Sequence, residues 1–94
     1  MLYENRDKLS KAALDLMRAI DSLKEELEAV DLYNQRAEAC SDQQLKKVLL
    51  HNRDEEKEHA AMLMEWIRQN DSGFEKELGE YLNSDGEDLS KKGH

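Results

Sequence analysis

Residues 51–66 read HNRDEEKEHAAMLMEW, and this stretch holds the residues around which the rest of the chain is organised. Glu56 and His59 are three positions apart, so an α-helix with 3.6 residues per turn places both side chains on one face. Steps of three and four along that face are typical of the buried side of an amphipathic helix. The members of this stripe are Leu45, Val48, Leu49, Asn52, Glu56, His59, Leu63 and Trp66.

Glu56 and His59 stand in this stripe where leucine is expected. A buried carboxylate is costly unless it is protonated, paired or bound to a cation. The two residues therefore indicate one half of a metal-ligand pair. Taken alone, His59 would be better explained as a hydrogen-bonded packing residue, so the interpretation depends on further ligands elsewhere in the chain.

Composition predicts an all-α chain with long helices, because proline is absent and all four glycines lie from Gly73 onward. We expect a first helix over residues 7–38. A second helix should run from a capping box at Ser41 and Gln44 to about Asn70. The link between the two is short, so they must fold into an antiparallel hairpin.

A second capping box, at Ser72 and Glu75, predicts a short third helix. We assign residues 1–82 to one helical domain. Residues 83–94 contain almost nothing apolar except Leu89, which predicts a flexible C-terminal tail.

The apolar stripes of two helices cannot cover each other completely, so the hairpin needs a partner. A second hairpin from an identical copy would complete a four-helix bundle, and a homo-oligomer is therefore expected. A different protein could cover the same surface. The first helix adds a carboxylate to an otherwise apolar stripe, formed by Ala19, Leu23, Glu26, Val30, Tyr33 and Ala37.

Di-iron sites in helical bundles use one Glu from each of two helices and a Glu-x-x-His pair from each of the other two. This chain supplies Glu26 on its first helix and Glu56 with His59 on its second, which is half of such a site. Two copies would supply four carboxylates, enough to balance two Fe(II) ions. Carboxylate and imidazole donors suit non-haem iron and other divalent metals. Without the second-helix pair, Glu26 would be an exposed residue at the edge of the stripe.

The charge and the cysteine content argue against several other classes of protein. The chain has 94 residues, 14 of them Lys or Arg and 22 Asp or Glu, and its formal net charge is −8. That sign argues against binding to nucleic acid or anionic membranes. Cys40 is the single cysteine, so no disulfide can form within the chain. With no signal-peptide pattern and no long apolar run, we expect a cytoplasmic protein.

Both predicted helices closely resemble the encapsulated ferritins, over residues 23–71. The first matching block is residues 25–31, followed by Tyr33, Gln35 and Arg36; the second is residues 51–62 with Glu65 and Trp66. The resemblance implies a two-helix half-ferritin whose di-iron ferroxidase centre forms across a dimer interface. It also implies a ring-shaped decamer of five dimers, carried as cargo inside an encapsulin nanocompartment, where Fe(II) is oxidised and stored.

The resemblance also implies roles for individual residues. It gives Glu26, Glu56 and His59 as iron ligands with Tyr33 beside the centre, and it places Glu25 and Glu28 in an outer metal-attracting site. Tyr33 is otherwise explained as a core residue, and Glu25 and Glu28 as solvated charges.

The chain departs from the family pattern at two points. Leu32 stands where some members carry Trp, which puts the shape of the outer site in doubt. Residues 88–94 show no clear apolar motif for docking to the shell, so that segment is expected to be divergent or truncated. Two other functions fit the residues alone: an acidic helical dimer without catalysis, and a module that binds metal without oxidising it.

Overall fold

The computed structural model describes residues 1–93, and its regular structure there is entirely helical. Helix α1 (Lys11–Ala39) packs along helix α2 (Gln43–Asn70), and helix α3 (Ser72–Tyr81) follows after a single linking residue. The predicted all-α class and the hairpin with a short third helix are confirmed. Within residues 1–93, no helix has both the length and the apolar character needed to cross a membrane.

Helix α1 begins four residues later than predicted. Residues Arg6–Lys8 form a separate 3-10 turn, and the backbone is extended at Ser10, whose Oγ accepts a hydrogen bond from the Ala13 amide at 3.1 Å. A serine at this position satisfies an amide that the first helical turn leaves free. The helix therefore starts where a cap is available.

The capping residue of α2 is Asp42, and the prediction of Ser41 was wrong. Asp42 Oδ1 accepts a hydrogen bond from the Leu45 amide at 2.8 Å. An aspartate at this position also places negative charge at the positive end of the helix. Sequence inspection found a serine with Gln44 three residues later, but the carboxylate one position further on makes the cap.

The same one-residue shift occurs at α3, where Ser72 is the first helical residue and Asp71 is the cap. Asp71 Oδ1 accepts a hydrogen bond from the Phe74 amide at 2.8 Å. Asp71 alone separates α2 from α3, and the third helix contacts α2.

The hairpin has a very small core of its own. Among the described residues, the buried apolar side chains are Ala19, Ala37, Ala60 and Ile67. Several larger side chains of the predicted buried stripe on α2 remain exposed to solvent: Leu45 is 50% exposed, Val48 45% and Trp66 37%. The prediction that this stripe is buried therefore does not hold within a single chain.

The overall shape agrees with this small core. The molecule measures 49 × 40 × 19 Å, and the radius of gyration of its Cα atoms is 17.1 Å. A compact domain of this length has a radius of gyration of about 12 Å. The chain is an extended, flat body with much of its apolar surface uncovered.

The segment after α3 folds back against that helix. The Tyr81 hydroxyl donates a hydrogen bond to the Lys92 carbonyl at 2.7 Å, and Ser84 Oγ donates to the Glu80 carbonyl at 3.2 Å. The predicted tail also includes His94, which lies outside the described residues. The flexibility of the tail stays a prediction.

Replacing Asp42 by alanine should lower the free energy of unfolding by about 1 kcal/mol, because the Leu45 amide loses its acceptor. Urea unfolding at one fixed protein concentration, followed by circular dichroism, measures the change. Ser41→Ala is the matched control and should change the free energy by less than about 0.5 kcal/mol. A larger loss in Ser41→Ala than in Asp42→Ala would contradict the assignment of the cap.

Candidate metal centre

Three side chains of the type that binds metals meet near the middle of the hairpin. Glu26 comes from α1, Glu56 and His59 come from α2, and each offers a ligand atom within 4.8 Å of the others. His59 Nδ1 lies 3.5 Å from Glu26 Oε2 and 3.4 Å from Glu56 Oε2. Within residues 1–93, this is the only group of three or more His, Cys, Asp or Glu side chains with such geometry.

The positions of these three residues follow from helix geometry and close packing. Glu56 and His59 share one face of α2 because they are three residues apart. Ala60, next to His59, is 4% exposed, and its small side chain lets α1 approach α2 closely. Glu26 therefore reaches His59 from the opposite helix.

A hydrogen bond between the helices helps to fix their register. Arg53 Nη1 donates to Asn34 Oδ1 at 3.1 Å, and the guanidinium also pairs with the adjacent Asp54. Sequence analysis missed both Asn34 and Arg53, because neither interrupts an apolar stripe in the way that Glu56 does. Pairing of an amide with a guanidinium across two helices has no signature in a single sequence.

The three side chains are partly open to solvent. Glu26 is 26% exposed, Glu56 24% and His59 42%. Glu56 and His59 belong to the same α2 stripe as Leu45 and Trp66, which are also exposed. The group therefore opens onto the uncovered apolar face of the hairpin.

One oxygen of the group lacks the partner that its burial demands. Glu26 Oε2 is buried and accepts no hydrogen bond from the described residues. His59 Nδ1 lies 3.5 Å from this oxygen, and at that length the contact is too weak to satisfy a buried carboxylate oxygen. A bound cation would supply the missing partner.

The donor set is chemically suited to a divalent transition metal. Two carboxylates and an imidazole match the preferences of iron, manganese and zinc, while thiolate ligands are absent from the group. Three side chains are, however, only half of the four Glu and two His that hold two ions in di-iron bundles. The group in one chain therefore corresponds in residue types to half of such a set, and we call it the half-site.

The predicted outer-site carboxylates, Glu25 and Glu28, do not join this group. Glu25 and Glu28 are exposed on α1, and Glu28 lines a shallow groove with Leu32. Tyr33 is half-buried and lies seven residues after Glu26, which is about two turns along α1. Its place beside the centre stays a prediction.

The strongest electrostatic perturbation lies away from the centre, on the solvent-exposed side of α2. Hydrogen bonds from Arg68 and then Gln69 lower the pKa of Glu65 to about 2, and the same carboxylate raises the pKa of Arg68. Arg68 also lies 3.8 Å from Glu75 of α3. These are exposed ion pairs at the joint between two helices, and such pairs contribute little to stability.

Two relatives and one solved structure show what the chain is similar to. It is 49% identical over 84 residues to an encapsulated ferritin-like protein of Rhodospirillum rubrum, covering 89% of this chain and 60% of that protein. It is 48% identical over 83 residues to a ferritin-like protein of Thermotoga maritima, covering 88% of this chain and 73% of that one. The crystal structure of protein ne0167 from Nitrosomonas europaea matches with a TM-score of 0.89 and 58% identity, over 94% of this chain and 97% of that one.

The solved structure agrees with the helical fold of this chain. The chain spans 60% of the length of the Rhodospirillum rubrum relative. A family model described as EncFtn-like matches residues 1–85. A match of that extent, together with relatives of this identity, shows that the chain belongs to the EncFtn-like family of encapsulated ferritin-like proteins.

Proposed function

We propose that two copies of this chain form a di-iron centre that oxidises Fe(II) with molecular oxygen. The observation that carries the proposal is the half-site: Glu26, Glu56 and His59 meet at one point, and a buried oxygen of Glu26 has no partner. A second copy related by a two-fold axis would bring the same three ligands and complete the set used in di-iron bundles.

Charge balance supports a pair of divalent ions as the substrate. Glu26 and Glu56 contribute two negative charges per chain, so two chains carry four, and two Fe(II) ions carry four positive charges. Without ions, the four carboxylates repel one another, and the paired site should take up divalent cations or protons. Carboxylate oxygens suit both Fe(II) and Fe(III), so the same ligands can hold the substrate and the product.

In the proposed reaction Fe(II) is the substrate, each ion gives one electron to oxygen, and Fe(III) leaves for storage. Glu26 and Glu56 bind and orient the ions, and the ring of His59 provides a nitrogen ligand. We assign Tyr33 a place beside the completed centre, where its phenol would face the pair of ions. Glu25 and Glu28 would attract cations toward the centre from the outer surface of α1.

The exposed apolar face supports the requirement for a second copy. Val48 and Trp66 lie on the α2 stripe that contains Glu56 and His59, and the rest of the chain covers each of them only partly. Covering them removes apolar surface from water, which favours association at about 25 cal/mol per Å². A homodimer is the simplest way to cover the stripe and complete the site together.

Storage of the product requires a container that this chain does not form alone. A body of 49 × 40 × 19 Å with two long helices encloses no cavity for a mineral. The Rhodospirillum rubrum relative is named as encapsulated. We propose that the dimers assemble further, into a ring of five, and work inside an encapsulin shell as its cargo.

Replacing Glu56 by glutamine should abolish rapid aerobic oxidation of Fe(II), because the uncharged amide binds iron weakly while its shape is nearly unchanged. The measurement is oxygen consumption and Fe(III) absorbance after Fe(II) is added in air. Glu58→Gln is the matched control, since Glu58 is exposed on α2 and lies outside the group of three. Equal rates in Glu56→Gln and the unmodified protein would refute the assignment.

Metal should also shift the population of oligomers, because ions bridge the ligands of two chains. Native mass spectrometry under anaerobic conditions should show Fe(II) driving monomers to dimers that hold two ions. His59→Ala should abolish this shift and leave helix content unchanged.

Two results would favour the competing functions. A dimer population that does not change when Fe(II) is added would indicate an acidic helical dimer without a metal role. Uptake of Fe(II) without oxygen consumption would indicate a protein that only binds metal.

A further inference from the structure

We propose that Arg53 and Asn34 are positioning residues that hold Glu26 at the distance from His59 that metal binding requires. The inference rests on the proposed function for the group of three as a metal site, and it adds two residues that bind no metal themselves. Arg53 Nη1 on α2 donates a hydrogen bond to Asn34 Oδ1 on α1 at 3.1 Å. We call this hydrogen bond the register clamp.

The register clamp is the main polar contact between the two long helices. Within residues 1–93, it is the only hydrogen bond that joins a side chain of α1 to a side chain of α2. A second polar contact, between His59 and Glu26 at 3.5 Å, lies inside the metal-ligating group itself. Apart from that ligand contact, polar alignment of α1 against α2 depends on the register clamp.

Apolar packing by itself specifies the register of the hairpin weakly. Three of the four buried apolar side chains in the described residues are alanines: Ala19, Ala37 and Ala60. A methyl group forms only a shallow ridge, so one helix can slide a short way along the other at little cost in packing. A slide of about 1 Å is already enough to spoil a constellation of functional side chains.

The clamp acts on a single distance, the one between Glu26 and the pair on α2. Glu56 and His59 share one helix, so the backbone of α2 fixes their spacing. Glu26 is the only member of the group from α1, and it moves relative to the other two whenever α1 shifts. Its Oε2 is the buried oxygen without a hydrogen bond, so its position decides whether a cation can satisfy it.

The guanidinium of Arg53 is oriented before it reaches the other helix. Its Nε donates to Asp54 Oδ1 at 3.1 Å, and Nη2 lies 3.0 Å from the same oxygen. This contact occupies one edge of the planar group and leaves Nη1 directed at Asn34. The side chain of Arg53 is 23% exposed, so it lies against the protein and does not extend into water.

The register clamp is also well placed along the hairpin. Asn34 is eight residues after Glu26, about 12 Å along α1, and Arg53 is six residues before His59, about 9 Å along α2. The connection at residues 40–42 ties the helix ends together but begins about 21 Å from Glu26, where a tilt of about 3° moves that residue by about 1 Å. A bond nearer to the ligands restricts such movement.

The test compares Co(II) binding by full-length chains in the absence of oxygen, at one protein concentration. Co(II) accepts the same carboxylate and imidazole ligands as Fe(II), and its visible absorption reports the geometry of its ligands. Asn34→Ala removes the acceptor of the register clamp, while alanine favours a helix more than asparagine does. We expect this variant to bind Co(II) about tenfold more weakly and with a changed spectrum.

Asn34→Asp is the rescue variant. Aspartate keeps an oxygen where Arg53 donates, so the affinity and the spectrum should return to those of the unmodified protein. Gln35→Ala is the matched control and should bind Co(II) normally. Gln35 is the neighbouring amide on α1, is exposed, and donates to Asp31 of its own helix at 2.9 Å.

Three outcomes would overturn the inference. The first is an unchanged affinity and spectrum in Asn34→Ala, and the second is a failure of Asn34→Asp to restore them. The third is recovery by Asn34→Asp in a chain that also carries Arg53→Gln, because added charge would then explain the recovery. Circular dichroism of each variant shows that it is folded.

The same measurements separate this inference from the proposed function. An unmodified protein that does not bind Co(II) would contradict both, because no metal site would then exist to be positioned. The experiment uses neither iron nor oxygen. The expected Co(II) results in a protein that does not oxidise Fe(II) would therefore refute only the proposed function.

Discussion

The proposed assembly depends on the contact between Glu26, Glu56 and His59 at the centre of the hairpin. Each of these side chains lies where an apolar residue would serve packing better, and one oxygen of Glu26 is buried without a hydrogen-bond donor. Such an arrangement destabilises an isolated chain. Bound cations would neutralise the carboxylates, so the feature that weakens the chain alone would favour the proposed binding of metal.

The small core has a related consequence. Ala19, Ala37 and Ala60 allow α1 and α2 to approach closely, which brings Glu26 within reach of His59. Small side chains also bury little apolar area, so packing between α1 and α2 contributes little to the stability of the hairpin. Larger apolar residues, including Val48 and Trp66, are left on the surface. Stability and a complete metal site are then both expected from association with a second copy.

The helical hairpin could be predicted from the sequence because many positions indicate it. Apolar residues recur at steps of three and four, proline is absent, and the glycines all lie from Gly73 onward. Glu56 and His59 could be found because both interrupt an apolar stripe, and Glu26 because it interrupts a second one. The caps at Asp42 and Asp71 were missed by one residue, since several polar residues compete at each helix start. The Arg53–Asn34 hydrogen bond could not be predicted, because it depends on the register between helices.

The central claim is that the iron site exists only between two chains. A crystal structure of the protein loaded with iron, with the ions located by their anomalous scattering, tests it most directly. The account predicts two iron ions on a two-fold axis, each held by Glu26, Glu56 and His59 side chains drawn from both copies. Iron held entirely by the residues of one chain, or these side chains pointing into solvent away from any second copy, would contradict it.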